Sequence, residues 1–367
     1  SPYNAIYGLL PGLRVMQNTS WGTDKSRLNV RGRGSLNGDT PLFVVDGFAR
    51  PLEYINLSEI ESISVLKDGA ATALWGGRGA NGVVLITTKR GIYNQKDIKV
   101  DYKFGLGLPV NQPEFADAYT YAKARNEALR YDGLQPDMDE ASFLSGGNSD
   151  LYPNVDWQKE ALRNHTTSHQ LDITFRGGGK RLRYFSVLNY KNDMGLLNSK
   201  YTDYTDRYNS QMKKYFLNLR MNLDVDITDA TKLKLSMLGM LRETKRPTTS
   251  EATLFEQIFN TPSAAFPVQT QNGFWGSNNV LKTNPIANLA DVGYYKLNQR
   301  MLQADLRLVQ DLSVLTRGLS AELAIAYDNN ATYQETAKKS FMYQTIEKGI
   351  DGEPIYTNYG NPNDELE

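Results

Sequence analysis

The chain has 367 residues, with 41 basic and 41 acidic side chains and no cysteine. This length suggests more than one domain, and the balanced charge gives no footprint for nucleic acid. The lack of cysteine excludes disulfides and thiolate metal sites. No run of about 18 apolar residues is present, which excludes a transmembrane helix, whereas barrel strands escape a hydropathy scan because their apolar residues alternate.

Residues 1–92 have the pattern of a small α+β unit, in which short apolar runs alternate with turn signals. We predict strands at Leu28–Arg31, Pro41–Val45, Ile60–Leu66 and Gly82–Thr88, and a short helix at Gly69–Trp75. The Gly/Asn/Asp-rich connection 32–40 predicts that the first two strands form an antiparallel hairpin. That hairpin would place segments 19–27 and 48–56 at the same end of the unit.

From about Ile98 the apolar residues recur with period two, as in a strand that buries one face. In the run 217–227, leucine, methionine, valine and isoleucine alternate with Asn, Arg and Asp. The pattern predicts about seven strands, near 98–107, 166–176, 181–193, 213–227, 231–246, 297–312 and 318–333. A helical stretch, Pro113–Arg130, lies in the first long connection.

The connections between these strands alternate between short and long. The long ones are 108–165, 194–212 and 247–296, followed by 334–367. Short turns at one rim and long loops at the other are typical of an antiparallel transmembrane β-barrel. A soluble β-sandwich or jelly roll also alternates, but the charges on the second face of these strands argue against it.

The alternation also predicts which side chains face lipid. Leucines should point outward, and charged residues should point to the lumen, because an outward charge at mid-bilayer is costly. The predicted outward set is Leu219, Leu223, Leu306 and Leu323, and the predicted lumenal set is Arg220, Asp224, Asp305 and Glu322.

Several motifs resemble cofactor, metal or catalytic sites, but their place in the predicted strands and turns gives each of them a structural explanation. Residues 77–82 match G-x-G-x-x-G, but a strand follows the glycines where a dinucleotide site needs a helix. His165 and His169 would lie about 13 Å apart on a strand, too far for a shared metal. Asp224 and Asp226 share one polar face and favour a wet interior over a catalytic pair. We therefore expect no enzyme activity, no cofactor and no metal site.

Three segments resemble the plug domain of TonB-dependent transporters: Asn29–Gly34 (NVRGRG), Pro41–Gly47 (PLFVVDG) and Ile60–Gly91. The run from LKD through RGANGV to TTK resembles the SusC/RagA family in particular. Tyr152–Trp157 (YPNVDW) is similar to a feature of the family's first loop, and Trp75 stands where a tyrosine is usual.

This resemblance implies a plug domain over residues 1–92 and the first part of an outer-membrane barrel of about 22 strands over residues 93–367. It implies active import of oligosaccharides or oligopeptides into a gram-negative bacterium. The implied partners are a SusD-like surface lipoprotein and the TonB–ExbB–ExbD complex, which pulls on a TonB box that this chain lacks. A siderophore or vitamin receptor is the alternative within the superfamily, and a non-transporting adhesin or soluble β protein lies outside it.

An open sheet edge in lipid leaves backbone groups unpaired, so we expect the seven strands to be part of a larger barrel.

Charges that would contact the barrel wall are Arg31, Arg33, Asp46, Glu61, Lys67, Asp68 and Arg78. Candidate substrate contacts, which suit sugar rings and peptide side chains alike, are Trp21, Asp24, Arg50 and Tyr54, with Phe274 and Trp275 in a long loop. Local ion pairs for the charges and packing within their own loops for the aromatics are the alternatives.

Overall fold

A computed structural model describes residues 41–66, 73–110, 112–203 and 207–361, and the backbone of four short strands between residues 13 and 30. Those four are β1 (Leu13–Met16), β2 (Thr19–Ser20), β3 (Thr23–Asp24) and β4 (Arg27–Val30). Strand β1 pairs antiparallel with β4, and β2 pairs antiparallel with β3.

The next unit, here called the plug unit, comprises the described residues from 41 to 92. Its sheet has the order β6-β5-β8-β7, with β5 parallel to β8. The strands are β5 (Leu42–Val45), β6 (Phe48–Ala49), β7 (Ile60–Leu66) and β8 (Val83–Thr88), and short 3-10 turns cover Leu52–Tyr54, Leu57–Glu59 and Ala73–Gly79. Its buried core contains Phe43, Val45, Leu52, Ile55, Val84 and Ile86. Apolar strand faces and the first 3-10 turn thus bury one small core.

The predicted hairpin between residues 28–31 and 41–45 is wrong. Strand β5 pairs with β6 at one edge and with β8 at the other, so no edge remains for β4. The hairpin that forms is β5–β6, across Asp46 and Gly47, whose φ angles are 48° and 95°. Two positive φ angles suit a tight hairpin turn and explain why Asp-Gly occurs here. This hairpin therefore does not bring segments 19–27 and 48–56 to the same end of the unit.

The glycines of 77–82 lie at the end of a 3-10 turn and precede β8, as predicted from their order. Gly82 has a φ of 91°, which a residue with a side chain rarely adopts. The predicted helix at Gly69–Trp75 is described only from Ala73 onward, where the backbone is a 3-10 turn. No helix in the described ranges is long and apolar enough to cross a bilayer.

The larger part of the chain is a seven-stranded antiparallel meander, here called the wall sheet. Its strands are β9 (Lys96–Gly107), β10 (Thr166–Gly178), β11 (Leu182–Met194), β12 (Lys213–Asp226), β13 (Thr231–Pro247), β15 (Gly293–Asp311) and β16 (Ser320–Lys338). All seven predicted strands are confirmed, with ends that shift by a few residues. Strands β9 and β16 form the two edges, so the described sheet is open.

The long connections fold together at one end of the wall sheet, and we call them the loop assembly. It contains α1 (Ala118–Tyr131), α2 (Glu140–Ser145), α3 (Trp157–Ala161), α4 (Ser199–Thr202), α5 (Glu251–Asn260) and α6 (Ala287–Ala290). A small sheet adds β14 (Trp275–Ser277), β17 (Met342–Lys348) and β18 (Pro354–Gly360). Residues from three different connections share one apolar core, so these loops form a packed unit.

The wall sheet exposes its apolar face and buries its polar face, which is the reverse of a sheet in a soluble protein. Along β12, Leu217, Leu219 and Met221 are exposed, whereas Asn218 and Arg220 between them are buried. The buried polar face is the one that meets the plug unit. The predicted register is therefore confirmed, because a slip of one residue would have exchanged the two sets.

This polarity predicts the effect of a charge on the outer face. In the full-length protein, Leu306→Lys should lower the free energy of unfolding by about 2–4 kcal/mol, since lysine would enter the apolar band. The measurement is denaturant unfolding in lipid vesicles. Leu315→Lys is the matched control, because Leu315 lies in the β15–β16 turn and is 74% exposed. Equal effects of the two substitutions would contradict the assignment of an apolar, lipid-facing surface.

Candidate functional site at the plug–wall interface

A buried ion pair joins the plug unit to the middle of the wall sheet. Glu59 accepts hydrogen bonds from Arg220 Nε and from Asn218 Nδ2, both at 2.5 Å. The side chains of Glu59 and Arg220 are 0% and 2% exposed. Burial raises the pKa of Glu59, and the guanidinium and amide beside it act against that shift. Water is excluded from this contact, so it depends on both partners being present.

The local backbone explains how Glu59 reaches the wall. It ends a 3-10 turn, Leu57–Glu59, that begins after Asn56, whose side chain accepts a hydrogen bond from the Ser58 backbone at 3.2 Å. The Glu59 carbonyl accepts from the backbone N–H of Lys89, which ties the turn to the end of β8. The carboxylate is thus held on a short, braced turn.

A second contact joins Arg50 to two aspartates of the wall. Its guanidinium donates to Asp305 with both terminal nitrogens, at 2.5 Å from Nη1, and to Asp328 Oδ1 at 2.7 Å from Nη2. The guanidinium also lies over the Phe48 ring, 5.2 Å from its centre. Burial alone would lower the pKa of Arg50, but the carboxylates of Asp305 and Asp328 have the larger combined effect. The pKa of Arg50 is therefore raised. Paired carboxylates therefore hold this guanidinium in place.

A third contact lies where the plug unit leads into β9. Arg90 donates to Asp224 at 3.1 Å and to Ser236 at 2.8 Å. Asn222 donates to Thr88 Oγ1 at 2.9 Å and to the Lys89 carbonyl at 2.7 Å. Strand β8 is thus bonded to the wall along its last residues.

The Asp-Gly turn supplies a fourth contact. Asp46 accepts from both the N–H and the hydroxyl of Thr88, at 3.0 and 2.6 Å, while its carbonyl accepts from Arg307 Nη2 at 2.9 Å. A Cβ at Gly47 would lie 2.8 Å from Arg307 Nη2, so a side chain there would displace the guanidinium. The turn needs glycine both for its φ angle and for this close approach.

Not every buried polar atom at the interface is paired. Within the described part of the chain, Arg220 Nη2 and the amide oxygens of Asn189, Asn218 and Asn222 have no hydrogen-bond partner. A buried unsatisfied group costs about 1–3 kcal/mol. The interface therefore combines a few strong contacts with weak ones, unlike the apolar core of the plug unit.

Two of the predicted wall-contact charges touch the wall sheet in the structure. The Asp46 carbonyl accepts from Arg307 of β15, and Glu61 forms an exposed ion pair with Arg176 of β10 at 3.4 Å. Arg78 is exposed in the 3-10 turn. Four of the predicted charges lie outside the described residues: Arg31, Arg33, Lys67 and Asp68.

Among the predicted substrate contacts, Arg50 and Tyr54 lie on the plug unit beside the wall. Tyr54 packs against Met240 and Met301, with its hydroxyl 3.5 Å from Asn330 Nδ2. Burial raises the pKa of Tyr54. Trp21 lies outside the described residues, and Asp24 belongs to β3, of which only the backbone is described.

Trp275 and Phe274 lie in the loop assembly. Trp275 is 3% exposed, and its ring N–H donates to Asp291 at 3.1 Å. Phe274 is half-buried beside it. Trp275 therefore fills the loop core in this structure, and its ring is not presented to an open cavity.

A cavity of about 390 Å³, which the sequence does not predict, lies between the wall sheet and the loop assembly. It lies where β9 to β13 meet the loops. Its lining contains Ser168, Asp193, Lys214, Thr244 and Glu251, with apolar contributions from Leu108, Leu197, Met212 and Phe255. No alternation pattern could reveal it, because its walls come from six separate segments.

Of the two histidines, His165 lies just before β10 and His169 lies within it. His169 contacts Tyr102, whose hydroxyl lies 2.8 Å from its Nδ1, and packs near Phe104. In the ranges that the structure describes, no group of three metal-ligating side chains comes together.

Known proteins resemble this chain in both sequence and fold. A family model described as the TonB-dependent Receptor Plug Domain matches residues 1–83. A TonB-dependent receptor of Formosa agariphila is 30% identical over 69% of this chain and 22% of its own length. The TonB-dependent receptor SusC of Bacteroides thetaiotaomicron is 30% identical over 60% of this chain and 22% of its own length.

The fold has a counterpart among solved structures. The RagAB peptide transporter superposes with a TM-score of 0.69 at 18% identity, covering 93% of this chain and 43% of that one. The chain spans about a fifth of the length of the curated relatives it matches.

The buried Glu59–Arg220 pair gives a direct test of how the plug unit is held. In the full-length protein, Glu59→Ala should destabilise docking by about 3–5 kcal/mol, because Arg220 would stay buried without a counter-charge. Hydrogen exchange of β7 and β8 would measure the opening of the plug unit. Glu61→Ala is the control, since its exposed pair with Arg176 should contribute about 0–1 kcal/mol.

Adding Arg220→Met to Glu59→Ala should recover much of the loss, since the double variant removes both charges. A double variant as unstable as the sum of the single ones would show that the two side chains act independently.

Proposed function

Because the chain belongs to the SusC/RagA family of TonB-dependent transporters, we propose that it forms part of an importer of large nutrients in the outer membrane of a gram-negative bacterium. The wall sheet would form part of the barrel, with its leucine-rich face in lipid. The plug unit would close the lumen until energy from the inner membrane rearranges it.

One observation carries this proposal: the plug unit is attached to the wall through polar groups. Through Arg50, Glu59 and Arg90, the plug unit forms ion pairs with charged side chains of the wall sheet. When such surfaces separate, water can replace each lost hydrogen bond, so the net cost per bond is about 0.5–1.5 kcal/mol. An apolar interface would instead expose its whole area to water. A polar attachment to the wall therefore suits a plug that must open and close again.

The substrate class is proposed as oligopeptides or oligosaccharides. The solved relative is a peptide transporter by its description, which favours peptides. The cavity beneath the loop assembly carries Asp193 and Lys214, so it offers groups of both charges to a ligand with charged ends. A SusD-like lipoprotein over the long loops and the TonB–ExbB–ExbD complex are the proposed partners.

The experiment that tests this function uses the full-length transporter in its own membrane. Uptake of labelled oligopeptides and oligosaccharides would be compared in wild-type cells, cells lacking the transporter, and cells lacking TonB. Uptake of one class should require both proteins. If uptake of every peptide and glycan tested were independent of the transporter, while ferric siderophore or vitamin uptake depended on it, nutrient import of this kind would be ruled out.

Tyr54 is the described residue through which substrate contact by the plug unit can be tested. Tyr54→Ala in the full-length transporter should weaken ligand binding about tenfold, because a buried aromatic contact is lost. Trp21→Ala, alone and with Tyr54→Ala, extends the test to the other predicted aromatic. Calorimetric titration with the transported ligand gives the affinity, and membrane insertion is checked separately.

Tyr93→Ala is the matched control, because Tyr93 is an exposed tyrosine that bonds to Asp226 near the short turns. Wild-type affinity in the Trp21/Tyr54 double variant would remove both residues from the ligand site. Loss of insertion would assign them to packing of the plug.

A further inference from the structure

The outer face of the wall sheet has a notch in its apolar surface. Along β13 the outward positions are leucine or methionine until Gly239, which follows Met237 and precedes Leu241. Gly239 lies opposite Leu219 on β12 and Leu302 on β15. A concavity of about 310 Å³ lies over it, bounded by Leu217, Leu219, Leu241 and Leu302.

Local backbone geometry does not demand this glycine. Its φ is not in the positive range, and a Cβ built on it meets no atom within 4 Å. Glycine inside a strand weakens the strand, and it often marks a place where a ligand approaches the backbone. The open space outside Gly239 is therefore a candidate ligand position.

A guanidinium lies at one end of the notch. Arg300 on β15 faces outward, pairs in register with Leu241, and lines the concavity. It lies over the Tyr333 ring, 5.4 Å from its centre. Among the described residues, no carboxylate lies within ion-pair distance of Arg300, so its donors are available to an external anion.

The surrounding charges form a gradient along the sheet. On β12, β13, β15 and β16, every outward charge lies toward the long-loop end, and the charged residues are Lys213, Glu243, Lys245, Lys296, Arg300 and Glu335. Glu243 pairs with Lys245 and Lys296, at 3.3 and 3.5 Å. Arg300 is nearest to the apolar band, where lipid phosphates meet acyl chains.

We propose that the notch at Gly239 binds an acyl chain of a phosphate-bearing membrane lipid, and that Arg300 binds the phosphate. The proposal rests on the proposed function, since it requires the wall sheet to lie in the outer membrane. The apolar concavity over Gly239 and the cation of Arg300 lie next to each other. Their order along the sheet matches that of the acyl chain and the headgroup in a lipid. A guanidinium is well suited to the phosphate because it donates two parallel hydrogen bonds.

The test uses the full-length transporter in neutral detergent, titrated with phosphatidic acid or with diacylglycerol of the same chains. Native mass spectrometry measures the bound lipid. Wild-type protein should prefer phosphatidic acid. Arg300→Gln should weaken its binding about tenfold and abolish the preference, because a charge-assisted hydrogen bond is lost. Gly239→Leu should prevent binding of both lipids, because the new side chain fills the notch.

Two controls place the same changes at the other end of the sheet. Arg317→Gln changes an arginine in the β15–β16 turn, and Ala321→Leu introduces a leucine on the outward face near that turn. Both should bind phosphatidic acid as the wild type does. Wild-type binding by Arg300→Gln or by Gly239→Leu overturns the proposal, as does equal binding of the two lipids by the wild type.

Nutrient uptake separates this proposal from the proposed function. Both notch variants should insert and import at wild-type rates. If the wild-type protein binds phosphatidic acid selectively but imports nothing, the import proposal fails and the lipid site stands. If it imports normally but shows no lipid preference, the lipid site fails alone.

Discussion

The structure depends on the strict alternation of side chains in the wall sheet. Because successive residues point to opposite faces, a strand such as β12 can present leucines outward and Asn218, Arg220, Asn222 and Asp224 inward. The inward row would be costly in a dry core, and the plug unit satisfies much of it. Glu59 and Arg90 on the plug unit match Arg220 and Asp224 on the wall in charge and position. The two units are thus complementary mainly in charge and hydrogen bonding, beside the smaller apolar contact of Tyr54 with Met240 and Met301.

Much of this arrangement was predictable from local pattern. The alternation of apolar and polar residues predicted the seven strands, and it predicted that Leu219 and Arg220 face opposite sides of the sheet. This was possible because each residue of such a strand belongs to one of two faces with different polarity. The pairing of Glu59 with Arg220 was not predictable, because it joins residues 161 positions apart and depends on a short 3-10 turn. The hairpin assignment failed for a different reason. The hairpin turn lies at Asp46–Gly47, inside the motif PLFVVDG, and not in the longer polar connection 32–40.

The loop assembly shows a second limit of pattern reading. Most of its helices are short, and the clearest apolar face is that of α5, with Leu254, Phe255 and Ile258 buried. Its core contains Trp157, Leu197, Phe266 and Trp275 from different connections, so no single segment carries the signal. Trp275 is an aromatic residue of a long loop, yet it lies inside that core. An aromatic side chain that serves a ligand cannot be told from one that serves packing until its neighbours are known.

The parallel pairing of β5 with β8 has a mechanical consequence. The chain enters the plug sheet before Leu42 and leaves it after Thr88 toward β9, which is bonded into the wall. Tension applied ahead of Leu42 and resisted beyond Thr88 would act at opposite ends of two parallel strands. All the hydrogen bonds between them would then be loaded in shear at once, whereas an unzipping geometry breaks bonds singly. The pairing of β5 with β8 is consequently the part of the plug sheet that such tension loads in shear.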